Sequence, residues 1–195
     1  MKQEKAIIML YYFRRTPLAS KIDCDFVPLE NALIILIDDY SEYQAEQEAI
    51  DQRVKEGALC LFLNLHSGKF SIAGDMVEIK PSSMNPVHFV SRKTGHPFVA
   101  GFKPNDFRFW FDESVGEVRP LLSCQILAKG WTPILTTGGA LTSGEWNANV
   151  WGSTMAVAEK RIGAGRWIVS ELDLNNRLST NPVAREFFGR LLHLS

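Results

Sequence analysis

The tripeptide His66-Ser67-Gly68 follows directly on the apolar run Leu59 to Leu65. An imidazole beside a hydroxyl, at the carboxyl end of a strand in an open α/β sheet, stands where such sheets hold ligands. His66 and Ser67 are therefore the best single location for a site, with a plain polar loop as the alternative. Nucleophilic catalysis requires more. A serine or cysteine must sit on a tight strand-to-helix turn between small residues, so that it is exposed and backbone amides face the developing oxyanion. Neither GxSxG nor GxCxG occurs, and Leu122-Ser123-Cys124-Gln125 has no glycine and no clean helix after it. No catalytic residue is assigned. Cys124 or Ser67 would be the nucleophile only in a rival reading, a free-standing hydrolase or amidotransferase-like enzyme.

The other polar candidates are thinner. His88 and His96 match no zinc spacing, and Cys24, Cys60 and Cys124 contain no CxxC. No metal or cofactor is expected. Gly163-Ala164-Gly165 lacks the third glycine of a dinucleotide fingerprint and precedes a strand, so it reads as a hairpin turn. The paired carboxylates of sugar hydrolysis would have to come from Asp38-Asp39, Asp106, Asp112 or Glu113, and no motif fixes any of them at the end of a barrel strand. Asp106 stays only as a ligand or interface candidate. The aromatics are a richer signal: Phe107, Phe109, Trp110, Phe111, Trp131, Trp146 and Trp151 crowd one stretch. Buried, they fill a core; exposed, they anchor an interface or stack on sugar faces. Trp110, Trp131 and Trp146 are the candidates among them.

Positioning these residues is the task of a few clear elements. Ala32 to Ile37 and Leu59 to Leu65 are continuous apolar runs, the pattern of strands buried on both faces in a parallel sheet. Between them, Ser41 to Glu56 reads as a helix: Ser41 with Gln44 forms a capping box, Tyr43, Ile50 and Val54 share a face, and Gly57 is a natural C′ residue. Strand, helix and strand imply a right-handed crossover. Ala6 to Tyr12 reads as a first strand, with another short one near Phe26. Lys69 to Pro81 reads as a hairpin around Gly74-Asp75, and Ser82 to Pro104 as irregular surface chain. Thr136 to Asn149, rich in Gly, Thr and Asn, reads as a loop. Val157 to Glu159 and Trp167 to Leu172 form a closing hairpin, and Asn181-Pro182 caps a last helix with Val183, Phe187 and Leu191 on its apolar face.

Composition narrows the partners. The 195 residues carry a net charge of −1, with 46% hydrophobic and 22% charged residues, a balance that supports one domain with a full core. The pI of about 6.4 gives no basic footprint for nucleic acid and no polybasic cluster for membrane. No apolar run is long enough to span a bilayer, and Met-Lys-Gln-Glu-Lys begins no clean signal peptide. The compartment is left open.

Several segments together resemble a known family. They are the strand–helix–strand of 32–65, His96-Pro97 with Asn105-Asp106-Phe107-Arg108-Phe109-Trp110, Trp131-Thr132-Pro133-Ile134-Leu135, and the run from Ala158 to Arg166. Over residues 30–192 the chain resembles the class I glutamine amidotransferase-like accessory domain of bacterial family-2 glycoside hydrolases of the β-galactosidase class. It is similar also to the trimerisation domain of family-42 β-galactosidases. The resemblance implies an α/β, three-layer, flavodoxin-like domain with a mostly parallel sheet, an antiparallel C-terminal hairpin and no surviving catalytic residues. It also implies that this is a single domain belonging to a longer hydrolase of carbohydrate metabolism. Its partner would be the catalytic barrel of the same polypeptide or a neighbouring subunit. A carbohydrate-binding module using Trp110 or Trp131 is the other alternative.

Overall fold

The computed structural model describes residues 9–12, 25–81, 90–140 and 151–192, and side chains for all of these but 9–12, 139–140 and 151–153. In chain order the elements are β1 (Met9–Tyr12), β2 (Asp25–Phe26), β3 (Ile34–Ile37), α1 (Tyr40–Ala45), α2 (Gln47–Lys55), β4 (Leu59–Leu63), β5 (Gly68–Ile72) and β6 (Asp75–Pro81). There follow β7 (Phe109–Asp112), β8 (Glu117–Pro120), β9 (Cys124–Ala128), β10 (Thr132–Ala140), β11 (Trp151–Ile162), β12 (Gly165–Ser170) and α3 (Pro182–Leu191).

The two continuous apolar runs become adjacent parallel strands, as their composition predicts, with Ile34 opposite Leu59 and Ile37 opposite Phe62. Their side chains alternate between two cores. Ile34, Leu36, Leu59 and Leu61 face α3, with Phe187 and Leu191. Ile35, Ile37, Cys60 and Phe62 face the α1–α2 side, with Tyr43, Ile50 and Val54. The crossover helix is not one helix. Asp39, not Ser41, is its N-cap and accepts the Ser41 N–H at 2.9 Å. Glu46, at φ −121° and ψ 20°, breaks it into α1 and α2. Gly57, at φ +127°, then turns the chain into β4.

Strand order in the main sheet is β2-β1-β3-β4-β12-β11-β9-β6-β5, with β10 on the free side of β11. From β2 to β12 the neighbours run parallel; from β12 to β5 they run antiparallel. Val157 pairs with both Leu135 and Ser170, and Met155 with both Thr136 and Ile126. One edge of β11 is thus shared by β12 and β9, and the sheet branches there.

This overturns the expected three-layer, flavodoxin-like, amidotransferase-like sandwich. The sheet is mixed and curls into a half-barrel, with 41% strand against 24% helix. A sandwich of that kind needs a covering helix after nearly every strand, and among the described residues only 40–55 supply one between parallel neighbours. Beyond Gly68 the connections include two-residue turns, Ala73-Gly74 and Gly163-Ala164, which join antiparallel strands. Ala73 and Gly74 both have positive φ, the geometry of a tight hairpin turn. The closing hairpin is longer than its sequence suggests, because β11 begins at Trp151. Of the stretch from Thr136 to Asn149 expected as loop, Thr136 to Ala140 is strand, and 141–149 lies outside the described residues.

The short hairpin β7–β8 forms a separate two-stranded sheet. Asn181 reads as a helix cap, yet its side chain makes no cap bond. Its Oδ1 instead accepts the Phe111 N–H at 3.0 Å, and its Nδ2 donates to the Phe111 carbonyl at 2.8 Å. The amide serves as a third strand one residue long and ties the hairpin to the start of α3.

Candidate functional site

Where β4 ends, Asn64 takes the left-handed conformation at φ 50° and its N–H donates to the Ser170 carbonyl. This bend carries Leu65, His66 and Ser67 off the sheet beside the end of β12. Because β4 and β12 are parallel neighbours, their carboxyl ends open on the same side. A cavity of about 680 Å³ lies there. His66, Ser67, Cys124 and Glu171 line it, and Asp112, Arg119, Asp173 and Arg177 form its charged wall.

Glu171 is the most deeply placed acid of the cleft, 3% exposed. Its Oε1 accepts the Leu65 N–H at 3.2 Å. Burial pushes its carboxyl up from 4.5 to about 8, against the smaller opposing pull of that hydrogen bond. Arg177 is 2% exposed, and its two terminal nitrogens find partners within the fold while its buried Nε has none among the described residues. It donates to Asp173 at 2.8 Å and to the Pro120 carbonyl at 2.5 Å, and lies 3.6 Å from Asp112. The Ser114 hydroxyl donates to Asp112 and holds that carboxyl below its usual value, with Arg177 adding to the effect. Asp173 moves the other way, raised by burial that its contact with Arg177 only partly offsets.

The sequence candidates are scattered by the fold. His66 and Ser67 stand exposed at the cleft. Asp106 is elsewhere: its Oδ2 accepts the Lys103 N–H at 2.6 Å and caps a short 3₁₀ turn. Trp110 is buried in the α3-side core, its indole N–H donating to the Asp106 carbonyl at 2.9 Å. Trp131 is buried on the opposite side, donating to Asp75 Oδ2 at 3.0 Å. Neither tryptophan presents a face to a partner or a sugar. Trp146 lies outside the described residues, as do Cys24, His88 and His193. His96 is a buried structural residue, its Nδ1 accepting the Phe98 N–H while Nε2 lies 3.0 Å from Glu159.

Glu171, Asp173 and Arg177 escaped the sequence reading. The signal for them was topological. Glu171 follows its strand as the His66 loop follows β4, but only the β4–β12 pairing brings the two together.

Cys124 does lie in the cleft, half-buried at the start of β9. Burial raises its thiol pKa, the Glu171 carboxylate raises it further, and the nearby Ser123 hydroxyl offsets only part. A reactive thiol needs the reverse environment. Iodoacetamide should therefore label Cys124 more slowly than free cysteine at neutral pH, with a rate that climbs only on the alkaline side. Rapid stoichiometric labelling below neutrality would restore a nucleophile. Cys60, fully buried and raised by desolvation, should stay silent until unfolding.

Among the described residues no group of three or more His, Cys, Asp or Glu side chains could hold a metal ion, and no helix is long and apolar enough to cross a membrane.

No family model and no curated protein matches the sequence. Solved structures do match. A cold-adapted β-galactosidase from Rahnella sp. R3 superposes on 95% of this chain with a TM-score of 0.56 at 12% identity. The GH42 β-galactosidase Gan42B from G. stearothermophilus superposes on 96% of it, with a TM-score of 0.46 at 10% identity. A cytoplasmic protein from Salmonella typhimurium superposes on 84% of it, with a TM-score of 0.48 at 14% identity. The chain spans 31% of the Rahnella enzyme, 30% of Gan42B and 72% of the Salmonella protein. The fold of this chain is thus similar to that of one part of a β-galactosidase.

Proposed function

We propose that this chain is a non-catalytic accessory domain of a β-galactosidase-type glycoside hydrolase, serving to pack against the rest of that enzyme. The observation that carries the reading is the outer face of the β7–β8 hairpin. Alternation along β7 turns Trp110 and Asp112 inward and Phe109 and Phe111 outward. Phe111 is paired directly across the hairpin with Val118, which is 61% exposed, and Val115 in the turn is also exposed. Neighbouring apolar side chains on an outward face favour being covered. A fold that forms under a third of a galactosidase supports the rest of such an enzyme as the cover.

The purified chain should not hydrolyse nitrophenyl β-galactoside. An antibody against it should precipitate that activity from a native extract. A precipitate devoid of galactosidase activity would overturn the reading. Within the assembled enzyme, the double variant Phe111→Ser/Val118→Thr should cost under about 1 kcal/mol of domain stability, as exposed positions do. It should loosen the assembly by about 2 kcal/mol, the scale of a hot-spot residue, measured by sedimentation on dilution. Unchanged sedimentation would move the docking face elsewhere.

A further inference from the structure

We infer that Tyr40 plugs the open end of the half-barrel and keeps the edge strand β5 from adding the β5 strand of a second copy of this chain. Strand order leaves β5 last in the main sheet, with β6 on one side and no strand of the described residues on the other. A free edge of this kind is a template for strand addition. Register fixes which backbone groups it offers. Ile72 pairs with Asp75 across the two-residue turn, so Ile72 and Phe70 aim their N–H and C=O groups at β6. Lys69 and Ser71 alternate with them and aim theirs away from the sheet. Both of these residues are exposed.

Tyr40 reaches this edge from far across the sheet. It opens α1 directly after β3, and β4, β12, β11, β9 and β6 stand between β3 and β5 in the strand order. The curl of the sheet brings the two together. The Tyr40 hydroxyl donates to the Ser71 carbonyl at 3.0 Å and accepts the Ser71 N–H at 2.9 Å. A neighbouring strand would use the same two groups. The ring is held edge-on to Phe70, 4.8 Å between centroids, and lies 5.6 Å from Tyr43. It thus fills the space where the backbone of a next strand would run, about 4.8 Å from β5. Without the plug, the edge fits its own copy. Antiparallel pairing of Lys69 in each copy with Ser71 in the other engages all the outward groups and is self-complementary about Phe70. Phe70 would then face Phe70, an aromatic cross-strand pair, and no lysine would stand opposite a lysine.

Tyr40→Ala leaves no side chain over the edge. In sedimentation equilibrium its weight-average mass should climb with concentration toward twice that of the wild type, while the near-ultraviolet circular dichroism of Trp131 and Trp167 stays native. Adding Ser71→Pro should abolish the association, because proline removes an outward N–H without touching the β5–β6 ladder. Adding Phe111→Ser/Val118→Thr instead should leave it intact, which separates this edge from the docking face. In the wild type, the Ser71 amide should exchange with deuterium about tenfold more slowly than in an unstructured peptide, the protection of one hydrogen bond. That measurement needs no variant and stands if Tyr40→Ala does not fold. Four results would each overturn the inference: Tyr40→Ala sedimenting as wild type at every concentration, association indifferent to Ser71→Pro, association lost with the Phe111 and Val118 changes, or a Ser71 amide exchanging at the peptide rate.

Discussion

Gly165→Ala should cost the domain about 3 kcal/mol or more, the upper end of overpacking penalties. Gly165 opens β12 where the closing hairpin abuts the end of α2. A Cβ there would run into the Val54 carbonyl oxygen and lie 2.5 Å from that of Ala58. Both are backbone atoms, so no side-chain rotation can relieve the contact. The Ala164 N–H donates to the Lys55 carbonyl and the Arg166 N–H to that of Ala58. Pushing the hairpin away would therefore break the hydrogen bonds that seat it. Gly189 provides the internal control. It lies in α3 with nothing within 4 Å of an added Cβ. Gly189→Ala should raise stability by about 1 kcal/mol through helix propensity alone. Urea unfolding of the two variants checks both signs. Equal effects would mean that the α2–hairpin contact is not tight.

The second large effect concerns pH and Glu171. In the unfolded chain this carboxyl ionises near its ordinary 4.5, whereas in the fold burial holds it to about 8. Between those values the folded state binds more protons than the unfolded one, so stability falls as pH rises. The slope approaches a factor of ten in the folding equilibrium per pH unit, on the order of several kcal/mol across the window. Below about pH 4.5 the carboxyl is protonated in both states and the effect vanishes. Glu171→Gln keeps an acceptor for the Leu65 N–H and removes the titration. Its unfolding free energy should match the wild type near pH 4.5 and exceed it increasingly up to about pH 8. Parallel pH curves for the two proteins would show that Glu171 ionises freely in the cleft.

Much of the fold was legible because its elements are local. Continuous apolarity in Ile34–Ile37 and Leu59–Leu63 marks strands buried on both faces, and Gly74 and Gly163 mark the hairpins. What the sequence does not display is which distant strand joins β4. The periodicity of Gly165–Ser170 is compatible with either neighbour orientation, and its place beside β4 shows only in the parallel pairing of Arg166 with Leu59 through Ser170 with Leu63. The site was half legible for the same reason. His66 and Ser67 stand after an obvious strand, but Glu171 and Arg177 become part of a site only through the β4–β12 pairing. The aromatic stretch misled in a different way. Residues 107–111 are aromatic at every position but Arg108, and only the alternation along β7 separates the buried Trp110 from the outward Phe111.

The central position of β12 also bears on how the chain reaches its native state. More than a hundred positions separate Leu59 from its partner Arg166. During synthesis the early strand–helix–strand unit emerges with one edge of β4 bare, and it keeps that edge until β12 has left the ribosome. Closing so long a loop before its contacts stabilise anything slows folding, and an unpaired apolar edge invites the wrong neighbour in the interval. The domain should fold late and nearly all at once. Its dependence on chaperones should be set by translation speed between β4 and β12 rather than by its final stability.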